Sequence, residues 1–307
     1  MHQYARYKGS PIGRPFSFYN ADLEPHTDAM RIIILSILSL TAFAANSVLN
    51  RAAVADGAID PAGFAAIRVS SAFVLLVVVF WIKERRLPDW PPSMMGPVGL
   101  LVYILGFSFA YQQLNTGFGA LLLFGAVQIA MFVAARARGQ APNGVEMAGA
   151  GIAFAGLVYL LLPSLALGGV IPSVMMIAAG IGWAAFSVSG QSATSALGAT
   201  TSTFGVILIP VIVIWMFSPG APVQNIGIIL AVISGAITSA LGYLVWYTVL
   251  PKLATTTAGV MQLSVPVIAI LAGIFLLGEP FDLRVWIAST FVIVGVLISM
   301  FARNRVR

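Results

Sequence analysis

Residues 252–300 read KLATTTAGVMQLSVPVIAILAGIFLLGEPFDLRVWIASTFVIVGVLISM. The pattern predicts two apolar helices, Thr256–Leu277 and Leu283–Phe301, joined by a polar hairpin, Gly278-Glu279-Pro280-Phe281-Asp282. Each is close to the roughly 20 residues a helix needs to cross a bilayer. Pro266 falls near the middle of the first helix. Having no N–H, it deprives the Gln262 carbonyl of its usual i+4 donor and leaves a backbone acceptor beside a side-chain amide.

The same arrangement recurs, more weakly, half a chain earlier. One register sets Leu114-Asn115-Thr116 over Leu253-Ala254-Thr255, Gly139-Gln140 over Gly278-Glu279, and Gly156 over Gly295. A second, one residue different, sets Phe43-Ala44-Ala45-Asn46-Ser47-Val48 over Trp183-Ala184-Ala185-Phe186-Ser187-Val188. Matched helix order in two halves is the mark of a duplicated membrane unit. Working outward gives ten apolar stretches: Arg31–Val54, Pro61–Ile82, Met95–Gln112, Gly117–Ala135, Val145–Leu162, Ile171–Ser189, Thr201–Phe217, Ile226–Leu250, Thr256–Leu277 and Leu283–Phe301.

Composition agrees. The 307 residues are 59% hydrophobic and 8% charged, with mean hydropathy +0.97, whereas a soluble domain carries about 25% charged residues. This is the composition of a polytopic membrane protein, and the lipid bilayer is its expected partner. The net charge of +6 does not imply a nucleic-acid partner, because the basic residues are spread over helix ends. They also orient the chain. Lys and Arg follow the second stretch (Lys83, Arg85, Arg86) and the fourth (Arg136, Arg138), and occupy both termini, whereas the connections after the third, fifth and seventh have none. The positive-inside rule then places both termini in the cytoplasm, and the expected location is the plasma (bacterial inner) membrane. Five spans per half is an odd number, so the halves are inverted with respect to each other. The expected layout is a cytoplasmic tail at 1–29 with no signal peptide, repeats at 30–163 and 164–303, and a cytoplasmic end at 304–307.

Chemistry is constrained by absences. The chain has no cysteine, and both histidines lie in the tail. The ten acidic residues fall in the tail, in connections or at helix ends. Metal motifs and a G-x-S-x-G nucleophile elbow are missing, so an enzyme is not expected, nor is a cofactor. An intramembrane enzyme would need buried His, Asp or Glu, and a receptor or scaffold would be expected to carry a soluble domain. Proton-coupled export of cations usually uses a carboxylate buried in a span, and none is evident.

The polar residues inside the spans are therefore the candidates. Asn46 and Asn50 share one face of the first stretch, and Arg51 beyond them is expected to snorkel to the headgroups. Arg68 lies two turns into the second stretch, where insertion scales charge it about 2.5–3.5 kcal/mol. Gln128 and Gln262 sit mid-span, while Trp183, Tyr243, Trp246 and Tyr103 lie where aromatic residues can line a cavity. For each the alternative is a helix–helix contact. Ser187 and Gln191, below Trp183, read as such contacts.

At these residues the chain resembles the drug/metabolite transporter superfamily, specifically its EamA-type carriers. The resemblance rests on Gln262-Leu263-Ser264-Val265-Pro266-Val267, Leu276-Leu277-Gly278-Glu279, Gly295, Gly182-Trp183-Ala184-Ala185-Phe186-Ser187 and Ala65-Ala66-Ile67-Arg68. It implies an all-α membrane protein of ten transmembrane helices in two inverted five-helix repeats. It further implies a secondary carrier, usually an exporter, with a cavity walled by helices 1–4 and 6–9. The matching substrate-binding positions are Asn46, Asn50, Arg68, Tyr103, Gln128, Trp183, Tyr243, Trp246 and Gln262, with Pro266, Gly278 and Glu279 as hinge and hairpin. The first repeat departs from the pattern, having Val127 for the proline and Gln140 for the hairpin glutamate. The expected cargo is a small molecule, an amino acid or similar polar metabolite. A sugar phosphate or nucleotide sugar would call for several basic residues, and only Arg68 qualifies. The carrier is expected as a monomer or homodimer enclosing a wet midplane chamber.

Overall fold

The computed structural model describes residues 25–55, 57–114, 116–140, 142–161, 169–218, 220, 223–277 and 283–304. Every regular element among them is helical, and each of the ten predicted stretches is found: α1 (Pro25–Val54), α2 (Pro61–Glu84), α3 (Met95–Ala110), α4 (Thr116–Ala137), α5 (Gly144–Leu161), α6 (Val170–Gly190), α7 (Ala196–Met216), α8 (Asn225–Lys252), α9 (Thr255–Gln262 and Ser264–Leu277) and α10 (Leu283–Asn304). The hairpin residues Gly278 and Glu279 lie outside the described residues.

Local chemistry sets the boundaries. Asp60 accepts from the Gly63 N–H at 2.9 Å and Pro61 opens α2, an N-cap followed by a residue whose missing N–H costs nothing there. The same helix ends on Arg85 in the left-handed region (φ 56°). The Glu146 N–H donates to Asn143 Oδ1 at 2.8 Å and the Asn143 N–H donates to Glu146 Oε2 at 2.9 Å, a capping box that starts α5. Ser195 caps α7, which therefore begins at Ala196 rather than Thr201.

Six helices are long and apolar enough to cross a membrane, and Met95–Ala110, Leu122–Ala137 and Thr290–Ser299 are shorter apolar helices. Large apolar side chains such as Ile37, Val74, Ile129, Val133 and Ile209 are exposed on the outer surface. Polar side chains, including Asn46, Arg68 and Gln262, are buried. This is the distribution of a helical bundle solvated by lipid.

The bundle interlocks the two halves of the chain. α3 lies on α6, where a Cβ on Gly99 would meet the Gly182 carbonyl oxygen at 2.5 Å, and the reverse holds for Gly182. Only glycine allows backbones this close. α5 packs on α10 to one side, around Ala153, Val267, Ala288 and Val292. The main core lies between α1–α4 and α6–α9.

Two helices are irregular. The middle of α8, Ser234–Leu241, is π-helical, a form found mostly at functional sites. α9 is divided at Leu263, so Pro266 stands in the first turn of its second segment, where no N–H is needed. Leu263 keeps right-handed helical angles (φ −64°, ψ −16°) and its N–H turns to the Val260 carbonyl at 3.0 Å, so the helix tightens over one turn just before Pro266, and Gln262 is the last residue of the preceding segment.

Candidate functional site

The site is built on Arg68, which is wholly buried on α2. Its place is set by Gly235 on the π-helical part of α8: a Cβ there would collide with the Arg68 carbonyl oxygen and the Ser71 hydroxyl. Without one, the two backbones meet, and Ser239 comes to rest beside the guanidinium. Arg68 Nε donates to Ser239 Oγ at 2.8 Å. Nη2 donates to the Tyr243 hydroxyl at 2.6 Å and to that of Tyr103 at 3.4 Å. The guanidinium carbon lies 5.5 Å from the ring centres of both Tyr103 and Phe107, close enough for cation–π attraction. Nη1 has no partner. Among the described residues the one ion pair is Arg86–Asp89, at the surface, so no carboxylate is paired with Arg68. Burying an ion costs several kcal/mol after relaxation. Neutral hydroxyls and ring faces offset part of that cost and leave the positive charge in place.

The amides of α1 lie beside it. Asn46 Oδ1 accepts from Ser234 at 2.7 Å, Thr238 at 2.6 Å and Ser239 at 3.5 Å, while its Nδ2 has no partner. Asn50 Nδ2 donates to Ser108 Oγ at 3.1 Å, and its Oδ1 has none.

Aromatic rings fill the space between the halves. Trp183 lies 4.9 Å from Phe43, 4.8 Å from Tyr103 and 4.8 Å from Tyr243, centre to centre. Its indole N–H donates to Gln262 Oε1, and Gln262 Nε2 donates to the Ala258 carbonyl at 3.0 Å. Trp246 touches Phe43 but spends its N–H on Ser187, at 3.2 Å. Gln128 is buried on α4 across from Gly259, and neither of its amide atoms has a partner.

The structure therefore gathers Asn46, Arg68, Tyr103, Trp183, Tyr243 and Gln262 into one connected cluster. Asn50 and Trp246 border it, and Gln128 stands apart, bonded to none of them. Sequence reasoning passed over Ser234, Thr238, Ser239, Ser108, Phe43 and Phe107. The hydroxyls in Ser234-Gly235-Ala236-Ile237-Thr238-Ser239 were the available signal: Ser234 and Thr238 share a face in any α-helix, but Ser239 joins them only because this stretch is π-helical.

Three expectations need correction. Arg51 does not snorkel: Nη1 donates to the Tyr111 and Gln112 carbonyls at 2.8 and 3.4 Å, closing the C-terminal end of α3, where unpaired carbonyls and the helix dipole favour a cation. Asp60 and Glu146 lie at helix ends as expected, yet both are buried, because each is held by capping. The wet chamber is instead packed with rings. Two open cavities among the described residues, an apolar groove of about 450 Å³ between α4 and α6 and a 520 Å³ cleft between the C-terminal end of α2 and the N-terminal end of α7, lie away from Arg68.

A lipid-embedded helical bundle with a polar centre defines an integral membrane protein, and relatives identify the group. The EamA-like transporter family matches residues 170–301. The uncharacterized protein PA1977 of Pseudomonas aeruginosa is 36% identical over 277 residues, covering 89% of this chain and 96% of its own. An uncharacterized transporter of Archaeoglobus fulgidus is 26% identical over 78% of this chain and 88% of its own. A protein crystal structure superposes with a TM-score of 0.72 at 17% identity, over 91% of this chain and 99% of that one, a likeness of fold. The chain belongs to the EamA-like transporter family of the drug/metabolite transporter superfamily.

Proposed function

We propose that this protein is a secondary carrier exporting amino acids or similar small polar metabolites across a bacterial inner membrane by alternating access. In this reading it has ten transmembrane helices in two inverted repeats, 30–163 and 164–303, with both termini in the cytoplasm. The packing supports the repeat: α3 lies on α6 as α1 lies on α8, α4 on α6 as α1 on α9, and α3 on α7 as α2 on α8. Each pair becomes its counterpart when the halves are exchanged, and α2–α7, α4–α9 and α5–α10 map onto themselves. Closure against water fits an occluded state of such a carrier.

The observation that carries the substrate class is Arg68, a buried cation with an unused N–H pair and no acidic partner among the described residues. A substrate carboxylate would complete it. Asn46, Asn50 and Gln262 would take the polar groups, and Trp183, Tyr103 and Tyr243 would pack the side chain.

The test is metabolite export from cells overproducing the protein, compared with Arg68→Ala and Gln262→Ala at equal membrane levels. Loss of export of an amino acid in Arg68→Ala is expected. Export unchanged in both variants would remove the site assignment.

A further inference from the structure

Resting on that reading, the geometry points to a donor–acceptor polarity built into the site by the π-helical turn of α8. We propose that Ser234, Thr238 and Ser239 hold Asn46 as an N–H donor beside Arg68, so that this end of the ligand is a carboxylate and not a carboxamide. Asn50, one turn on, presents an acceptor for an ammonium or hydroxyl of the same ligand.

Ser239 Oγ receives the Arg68 Nε–H at 2.8 Å, so its own O–H donates elsewhere, and Asn46 Oδ1, at 3.5 Å, is within reach. Ser234 and Thr238 converge on the same oxygen at 2.7 and 2.6 Å. Thr238 can also donate to the Ser234 carbonyl at 3.0 Å, but the Ser234 hydroxyl has no acceptor besides Asn46 Oδ1 among the described residues, and a flipped NH₂ would leave its hydrogen unpaired. The amide is thereby oriented by its network, with Nδ2 turned away from α8 and unpaired. Arg68 Nη1 is unpaired too, and Ser239 links the two side chains. Donors alone are left at this end.

One turn along α1, about 6 Å away, the polarity reverses. Asn50 spends its Nδ2 on Ser108 at 3.1 Å and keeps Oδ1 free. Unpaired buried polar atoms cost about 1–3 kcal/mol each, and one small acid bearing an ammonium or hydroxyl would satisfy all three. A carboxamide would bring N–H groups against donors. Ser234, Thr238 and Ser239 are thus positioning residues: they act on the ligand through Asn46.

The test uses the full chain in detergent and reads ligand-dependent thermal stabilisation. The probes are alanine and phenylalanine, each with its carboxamide and its decarboxylated amine, plus lactate and 3-phenyllactate. In the unmodified protein the carboxylates bind about 10- to 100-fold tighter than the carboxamides. Asn46→Asp, which replaces donors with an acceptor, loses the carboxylates by a similar factor and gains affinity for the amines. Ser239→Ala narrows the carboxylate-to-carboxamide ratio, and Ser239→Thr, which keeps the hydroxyl, restores it. This pair decides the matter should Asn46→Asp not fold. Equal losses for carboxylate and carboxamide in Ser239→Ala, or carboxylate binding unchanged in Asn46→Asp, would overturn the polarity while leaving the carrier reading intact. Carboxylates failing to bind the unmodified protein would also overturn it, and export in cells would then report separately on transport.

Discussion

α1 and α6 occupy the same place in the two proposed repeats, and they have diverged in the middle while remaining alike at the end. At the end, Arg51 donates to the Tyr111 and Gln112 carbonyls in the α3–α4 connection, and Gln191 donates to the Leu253 carbonyl, at 3.3 Å, in the α8–α9 connection. The register that pairs Phe43 with Trp183 pairs these two residues as well. In the middle it sets Asn46 against Phe186, a hydrogen-bonding amide against a ring packed on Trp183 and Tyr247. In the proposed repeats the scaffold is doubled and the site is not. A ligand with two different ends needs such asymmetry, whereas helix ends in both halves pose the same problem of unpaired carbonyls.

The sharpest way to break this comparison is at Arg68, which has no counterpart function in the second half. Arg68→Ala in proteoliposomes should reduce transport at least 100-fold. Arg68→Lys should recover little, because an ammonium cannot supply the guanidinium fork that reaches Ser239, Tyr243 and a ligand together. Normal transport by Arg68→Ala would place the site elsewhere. Next in size is Gly235→Val. The added side chain meets the Arg68 backbone, and overpacking of about 1–3 kcal/mol or more should appear as a lowered unfolding temperature in detergent.

At the helix end the effect is smaller and should separate stability from transport. Arg51→Ala should cost about 1 kcal/mol in thermal stability through the uncapped α3 carbonyls, with substrate affinity retained. Arg51→Gln, which copies Gln191, should recover most of the loss. A fall in affinity without a fall in stability would show that Arg51 belongs to the site after all. Smallest of all is Gly151→Ala on α5, where a Cβ meets nothing within 4 Å. A change of no more than about 1 kcal/mol, in the stabilising direction, is expected from the gain in helix propensity.

Much of this molecule is dictated by where apolar residues run on and where charges stop. Lipid leaves backbone polar groups no partner but the helix itself, so long apolar stretches between short polar connections could only become α1 to α10. The same logic singled out Asn46, Arg68 and Gln262, because a polar side chain inside such a stretch must find company. What company it finds is decided by tertiary structure. The collision avoided at Gly235, the π-helical turn aligning Ser234, Thr238 and Ser239, and the tightened turn at Leu263 all depend on helices far apart in sequence pressing together. Hydrogen-bond polarity is a property of such pairs, since an amide can face either way until its neighbours fix it.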